Sequence, residues 1–589
     1  MLLQRLNEYA DRLDLPPQLY TETPIRYIID LDHSGAPVTR QPIDTADPAN
    51  PRTKRGTRLL APQIQRAVGI KALLFADNAE YTLGLARPAS KPARVAACHQ
   101  AYRDMVGRCA ASTGEPAVAA VAAYLRDNPA ERLQLQDDFD RGAMLTFRVA
   151  GQFVVELPAV QAFWAAEHDP SNTPGAPAPV MQCLVCGQRR PVLGRLQGKI
   201  KGVPGGQTSG VALISANADA FESYGLQASL IAPTCAVCGE RFTKALNALL
   251  ADGQHRIVLG GMAFVYWTRA PVEGFSWGGF LTDPDPAQVR ALLTAAQRGQ
   301  PATELDETAF YAATLSGSGG RAVVRDWVDT TVGAARRGLA TWFARQRVVS
   351  AYGEEGRPLK LISLAGGTVR ELRDLTPDVS RLLLRSALTG GPLPYSLLRQ
   401  AVRRTQVEQG VTHQHAALIK LVLCSRREGE EESMVGLDAD NQDTAYRCGR
   451  LLAVLEEVQR LAVPGIKATI VDRFFGTAST APLMVFARLV KGAQPHLAKL
   501  DRDRHGAYVA LQARIEEILS GISTFPRTLA LEQQALFVLG YYHQRANDRA
   551  AAQAARARRA AGQATTEGRT GEEGIAGDEG TPDEAGAQP

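Results

Sequence analysis

Three hydrophobic rhythms run along this chain. The first residues, MLLQRLNEYADRLDLPP, set Leu2, Leu3, Leu6, Tyr9 and Leu13 on one stripe, which predicts an amphipathic helix. RYIIDLDHSGAPV (26–38) predicts a strand, a turn at His33-Ser34-Gly35 and a returning strand. GIKALLFADNAEYTLGLA (69–86) is apolar again, and from 92 to 135 Ala, Tyr, Leu and Arg recur at helical spacing. HRIVLGGMAFVYW (255–267) has the pattern of a central strand, while 284–312 and 321–348 are predicted helical. Residues 377–547 are helical almost throughout. There LLAVLEEVQRL (451–461) aligns Leu451, Leu455 and Val458 with Leu452 beside them, and LQARIEEILSGI (511–522) aligns Leu511, Ile515, Ile518 and Ile522.

The segments between these elements set the expected boundaries. Residues 40–58 form a polar basic loop, and HDPSNTPGAPAPV (168–180) is a Pro-rich linker. Beyond about 548 the text turns to Ala, Gly and Arg and then to acids, so the segment 548–589 is expected to be a disordered acidic tail. The predicted class is α+β and multidomain. A mixed N-terminal domain (1–180) is followed by a zinc-knuckle region (181–270), a mixed, largely helical middle (271–376) and an all-α helical bundle (377–547).

Length and charge sharpen this outline. A chain of 589 residues is too long for one core. It has no apolar run long enough to span a bilayer, and its N-terminus lacks a signal core, so a membrane partner is not expected. Residues 560–589 hold seven acids and one base, a net −6, which leaves +11 on residues 1–559. A basic body with an acidic tail suits a nucleic-acid partner but does not require one. Eight cysteines are too few for a secreted disulfide scaffold, which points to a reducing compartment, the cytoplasm.

Candidate chemistry concentrates at residues 183–238. Cys183-Leu-Val-Cys186-Gly187 and Cys235-Ala-Val-Cys238-Gly239 are twin CxxCG units, which predict a structural four-cysteine zinc site despite the long intervening loop. That loop carries Lys199, Lys201, several glycines and Gln207-Thr208-Ser209, a combination able to follow a phosphate backbone or simply to pack on the knuckle. Enzyme motifs fail here. Gly194-Arg-Leu-Gln-Gly198-Lys199-Ile200 has the wrong spacing and an Ile where a P-loop needs a hydroxyl, and Ser209 lacks the first Gly of a nucleophile elbow. His413-Gln-His415 has no metalloprotease context. A zinc-dependent nucleic-acid enzyme and a zinc-ribbon scaffold without DNA contact are the alternatives to a nucleic-acid-binding subunit.

GVPGGQTSGVALISANADAFESYG (202–225) between the CxxC pairs resembles the large subunit of type I-C CRISPR Cascade, the Cas-eight family of the Dvulg subtype. So do GIKALLFADNAEYTLG (69–84), LLLRSALTGGPLPYSLLRQAVRR (382–404), HAALIKLVL (415–423), MVGLDADNQDTAYRCGRLLAVLEEVQRLA (434–462), ATIVDRFFGTASTAP (468–482) and FPRTLALEQQALFVLGYYHQR (525–545). The resemblance implies a non-catalytic subunit that reads a short protospacer-adjacent motif in double-stranded DNA, promotes R-loop formation and recruits a helicase–nuclease. It also implies Cascade backbone and guide-end-binding subunits, guide RNA, and a small subunit translated from the same gene. Arg66, Lys71 and Asn78 frame the expected motif reader. Met434, just after Arg-Glu-Gly-Glu-Glu-Glu-Ser (427–433), is the expected internal start, because Gly-Glu codons can encode a purine-rich ribosome-binding sequence. In that product Arg450, Lys467, Arg473, Lys491, Lys499, Arg502 and Arg504 are expected to face nucleic acid.

Overall fold

The computed structural model describes residues 1–572 except 48, 51–52, 65, 67–68, 89, 170–177, 197, 217, 273–275, 298–303 and 428. Residues 170–177 of the Pro-rich linker and part of the basic loop therefore lie outside the described residues. The chain divides into two compact units, Met1–Arg256 with Leu315–Trp327, and Ile257–Thr314 with Val328 onward.

In the first unit the strand Tyr27–Leu31 lies parallel to Met144–Val149, with Tyr27 opposite Leu145 and Leu31 opposite Val149. Ile43–Asp44 and Ala76–Asn78 extend this sheet on either side, and Gln152–Phe153 folds back on Met144–Val149. The expected returning strand after His33 is reduced to a single bridge between Leu31 and Pro37, because proline has no N–H to continue a ladder. The helices Pro92–Thr113, Pro116–Tyr124 and Pro158–Glu167 each begin with proline, which is preorganised for a first turn. They close a core around Phe75, Tyr102, Tyr124, Phe147 and Trp164. The amphipathic helix Leu2–Tyr9 packs on Ala236–Ala251, where Arg241 bonds the Asn7 side chain and carbonyl and pairs with Asp11.

Residues 256–331 hold strands where the sequence predicted otherwise. Residues 255–267 form two strands, Arg256–Leu259 and Met262–Thr268, which turn at Gly260-Gly261. Residues 321–331, predicted helical, form the strand Arg321–Thr331, paired with Ala309–Ser318. RAVVRDWVDTT is rich in β-branched and aromatic residues, and that preference prevails. Thr331 then caps the helix Val332–Gln346 through its hydroxyl, which accepts Ala334 N–H at 3.2 Å. From Pro377 the unit is helical, as the periodicity predicted. The helices Thr444–Ala462 and Leu531–Glu572 form the axis of this bundle. The second of them runs past residue 548, where composition predicted disorder, through an Ala-rich stretch of high helix propensity. The rest of the tail, 573–589, lies outside the described residues. No described helix is long and apolar enough to cross a membrane.

Candidate metal centre and nucleic-acid interface

The two CxxCG units reach one point from different elements. The first is the turn of a hairpin, Val180–Gln182 paired with Arg189–Pro191. Cys183 N–H bonds Gln188 O at 2.9 Å, Gly187 N–H bonds Cys183 O at 2.8 Å, and Gly187 sits at φ +74°, a conformation that favours glycine. In the second unit Cys235 is the N-cap of the helix Ala236–Ala251, so Cys238 lies in its first turn. Backbone bonds lock the two together: Leu184 N–H to Pro233 O at 2.9 Å, and Cys235 N–H to the Cys183 sulfur at 3.4 Å.

The four sulfurs lie within 4.8 Å of one another, and none is in a disulfide. Thiolates at about 2.3 Å from a tetrahedral ion stand about 3.8 Å apart, so the set fits a divalent metal with modest closure. Electrostatics agree. Burial raises the Cys183 thiol, but backbone N–H groups of Cys186, Cys235 and Val185 outweigh it and bring the thiol down to about 7. Cys235 and Cys238 are pushed up, first by burial and also by neighbouring thiols. Ionising one sulfur therefore disfavours the next, a conflict that a bound cation relieves.

The loop between the knuckles is pinned at both ends. Asn247 reads its backbone twice, accepting Lys201 N–H at 2.8 Å and donating to Lys199 O at 2.9 Å. Ile200 and Val211 exchange both backbone bonds at 2.8 Å. The tip rests on residues 317–320, where Gly317 N–H bonds Pro204 O at 2.7 Å and Ala212 N–H bonds Gly320 O at 2.8 Å. A Cβ on Gly317 would overlap Gly206, so glycine on both sides permits the approach. This clamping turns the side chains of Lys199, Lys201, Gln207, Thr208 and Ser209 outward, and all five residues are exposed. Lys199, Lys201 and Ser209 also edge a cavity of about 250 Å³ against the helix face of Glu240, Thr243 and Lys244. Sequence reasoning missed Asn247 and the 317–320 support, since neither carries a local signal.

The N-terminal candidates take different places. Arg66 makes a two-point ion pair with Asp77, with Nη1 2.9 Å from Oδ1, and its guanidinium covers the Tyr81 ring at 4.6 Å. Asp77 is fully buried, and burial raises its carboxyl against the pull of Arg66. The Asn78 side chain caps the helix Ala79–Thr82 by accepting Glu80 N–H at 3.1 Å. Lys71 is exposed. In the second unit His413 bonds within reach of Val349 O and the Tyr542 hydroxyl, and His415 completes the capping box with Thr412.

Met434 lies ahead of the helix Thr444–Ala462, half-buried and at φ +55°. The acidic run before it is tied to upstream elements. Buried Lys420 donates to Glu431 O at 2.8 Å and to Ala344 O and Arg345 O, Arg345 pairs with Glu431 at 3.1 Å, and Arg347 pairs with Glu432. Arg450 does not face nucleic acid as expected. It is 2% exposed and bound to Glu517 at 2.8 Å, Gln544 at 3.1 Å and Ala439 O at 3.1 Å.

The model of the CRISPR-associated protein family Cas_Csd1 matches residues 3–548. The chain belongs to this family. The match spans the cysteine centre, the pinned loop and the helical bundle, so a CRISPR-associated role belongs to the whole body rather than to one segment. No curated protein matches the sequence.

Proposed function

We propose that the chain is the non-catalytic large subunit of a type I-C RNA-guided surveillance complex in the cytoplasm. It reads the protospacer-adjacent motif in duplex DNA, promotes R-loop formation and brings in the helicase–nuclease. The single observation that carries this reading is family membership over nearly the whole chain. The four-cysteine centre holds structural zinc, whose role is to fix the hairpin, the helix start and the loop as one platform. Lys199 and Lys201 hold phosphates, and Gln207, Thr208 and Ser209 bond the sugar–phosphate chain. Lys71 is the N-terminal phosphate contact, and Arg66 and Asn78 set the backbone that carries it.

Guide RNA, the backbone and guide-end-binding subunits and a small subunit begun at Met434 complete the assembly. A product starting there keeps both axial helices and the Arg450–Glu517 pair but leaves behind Arg345, Arg347 and Lys420.

The test is a mobility-shift titration of the assembled complex on target duplexes with and without the motif. Replacing Lys199 and Lys201 by Ala should weaken binding to both duplexes alike and lower the salt slope by about one to two. A Lys199→Ala/Lys201→Ala complex that keeps the native affinity and salt slope on both duplexes would favour the protein-only scaffold instead.

A further inference from the structure

The second unit contains a polar cavity of about 290 Å³, built without any residue of the knuckle loop. Its charged lining is Arg460, Lys467, Arg545 and Arg549 against Glu456 and Asp472, a net of +2. Both acids are already engaged. Glu456 is buried and accepts Arg460 Nε at 3.2 Å, Thr469 Oγ1 at 3.2 Å, the Tyr541 hydroxyl at 2.7 Å and Arg545. Asp472 accepts Thr469 N–H at 2.6 Å and its hydroxyl at 3.2 Å.

The cations are not matched in the same way. Among the described residues Arg549 makes a long bond to Ala351 O at 3.5 Å, sits 5.9 Å from the Tyr352 ring centre and pairs with no carboxylate. Lys467 is exposed, and no carboxylate within the described residues pairs with it. Burial, and then the nearby Arg545 and Arg460 charges, hold the Arg549 guanidinium below its ordinary value. Glu456 answers Arg460 and Arg545, so the unmatched positive charge at this polar hollow is that of Arg549 and Lys467, and it favours an anion.

We infer that this cavity binds a phosphate group, clamped between Arg549 and Lys467. Guanidinium forks match tetrahedral phosphate oxygens, and the volume exceeds what a bare ion needs, leaving room for an attached sugar. The inference goes beyond the proposed function, since neither the loop nor the metal centre takes part.

The experiment uses the full chain and three probes: inorganic phosphate, adenosine monophosphate and a labelled single-stranded DNA. Melting temperature is followed for the first two against chloride at matched ionic strength, and anisotropy for the third. Phosphate and the mononucleotide should stabilise the native chain, and Lys467→Gln/Arg549→Gln should lose that response, with affinity about tenfold weaker or worse. Lys467→Gln alone gives the same direction if the double variant folds poorly. The control Arg399→Gln/Arg527→Gln, which removes two exposed cations of the second unit outside the cavity, should retain the response. A parallel loss of DNA affinity beyond the control assigns the phosphodiester backbone as ligand, and unchanged DNA affinity assigns a small phosphate-bearing molecule. Equal responses of native and double-variant protein to all three probes, or no response of the native protein to any, overturn the inference.

Discussion

Gly449→Ala should destabilise the bundle although alanine is the better helix former. Gly449 lies in Thr444–Ala462 where that helix crosses Leu531–Glu572, and Gly540 faces back from the second helix. A Cβ on Gly449 would overlap Phe537 O and stand 2.8 Å from Tyr541 N, while one on Gly540 would overlap Tyr446 O. The helices must part by roughly 1 Å to restore ordinary contact distances. Overpacking of this kind costs about 1–3 kcal/mol. Parting also stretches the bonds from Tyr446 to His543 at 3.0 Å and from Arg450 to Gln544 at 3.1 Å, at about 1 kcal/mol each. The propensity gain is about 1 kcal/mol. Sterics win by about 2–4 kcal/mol, which is a fall of roughly 4–16 °C in melting temperature for the second unit. Gly492 supplies the control, since its Cβ position is open and Gly492→Ala should stabilise by up to about 1 kcal/mol. Gly449→Ala plus Gly540→Ala should cost less than the sum, because one separation relieves both clashes. Calorimetry that finds Gly449→Ala unchanged or more stable would refute the close crossing.

Cys235→Ser should remove bound zinc, measured by plasma mass spectrometry, and lower the melting of the first unit. Cys424→Ser, a buried thiol outside the centre, should leave the zinc content intact. His543 is fully buried and held neutral, its ring brought down to about 3 by burial and then by Lys420. The unfolded chain takes up that proton below about 6.5, so stability should fall as pH drops from 6.5 toward 3, by up to about 1.4 kcal/mol per pH unit. His543→Gln should flatten that limb in urea titrations, and an unchanged slope would remove His543 as its source. Expression with a C-terminal epitope should give a short product that disappears when the Met434 codon becomes Leu, and a short band indifferent to that change would place the start elsewhere.

The parts of this fold legible in sequence are those whose signal is local. Paired CxxCG units announce a shared ion, and Leu451, Leu455 and Val458 announce a buried helix face. The hairpin at 256–268 was hidden because eleven apolar or glycine residues in thirteen look like one strand until Gly260-Gly261 is taken as a turn. Residues 321–331 lost their strand character to the helical text that follows. The Arg66–Asp77 pair did leave a trace, since an acid inside ALLFADNAEY must be buried and a buried carboxylate needs a cation. What no local signal carries is pairing across long separations, as between Asn247 and Lys199 or Arg450 and Glu517.

That same pairing changes what a net charge of +11 on residues 1–559 means. Arg66, Arg345, Arg450 and Arg545 face Asp77, Glu431, Glu517 and Glu456, so each enters the count while its field is already answered inside the fold. Lys199 and Lys201 project from a clamped loop, and Lys491, Lys499 and Arg502 follow one another at helical spacing along the exposed side of Phe486–Asp503. Counterions are released only by cations that reach a phosphate, at about 0.9 per contact on duplex DNA. Contact through the two loop lysines alone therefore gives a salt slope near −2, and adding the helical row brings it to roughly −4 to −5. A slope approaching −10 would require internal pairs to open, and opening a buried pair such as Arg545–Glu456 costs about 3–5 kcal/mol, more than one phosphate contact returns. The magnitude of the slope thus distinguishes docking on the folded surface from any binding that rearranges the bundle.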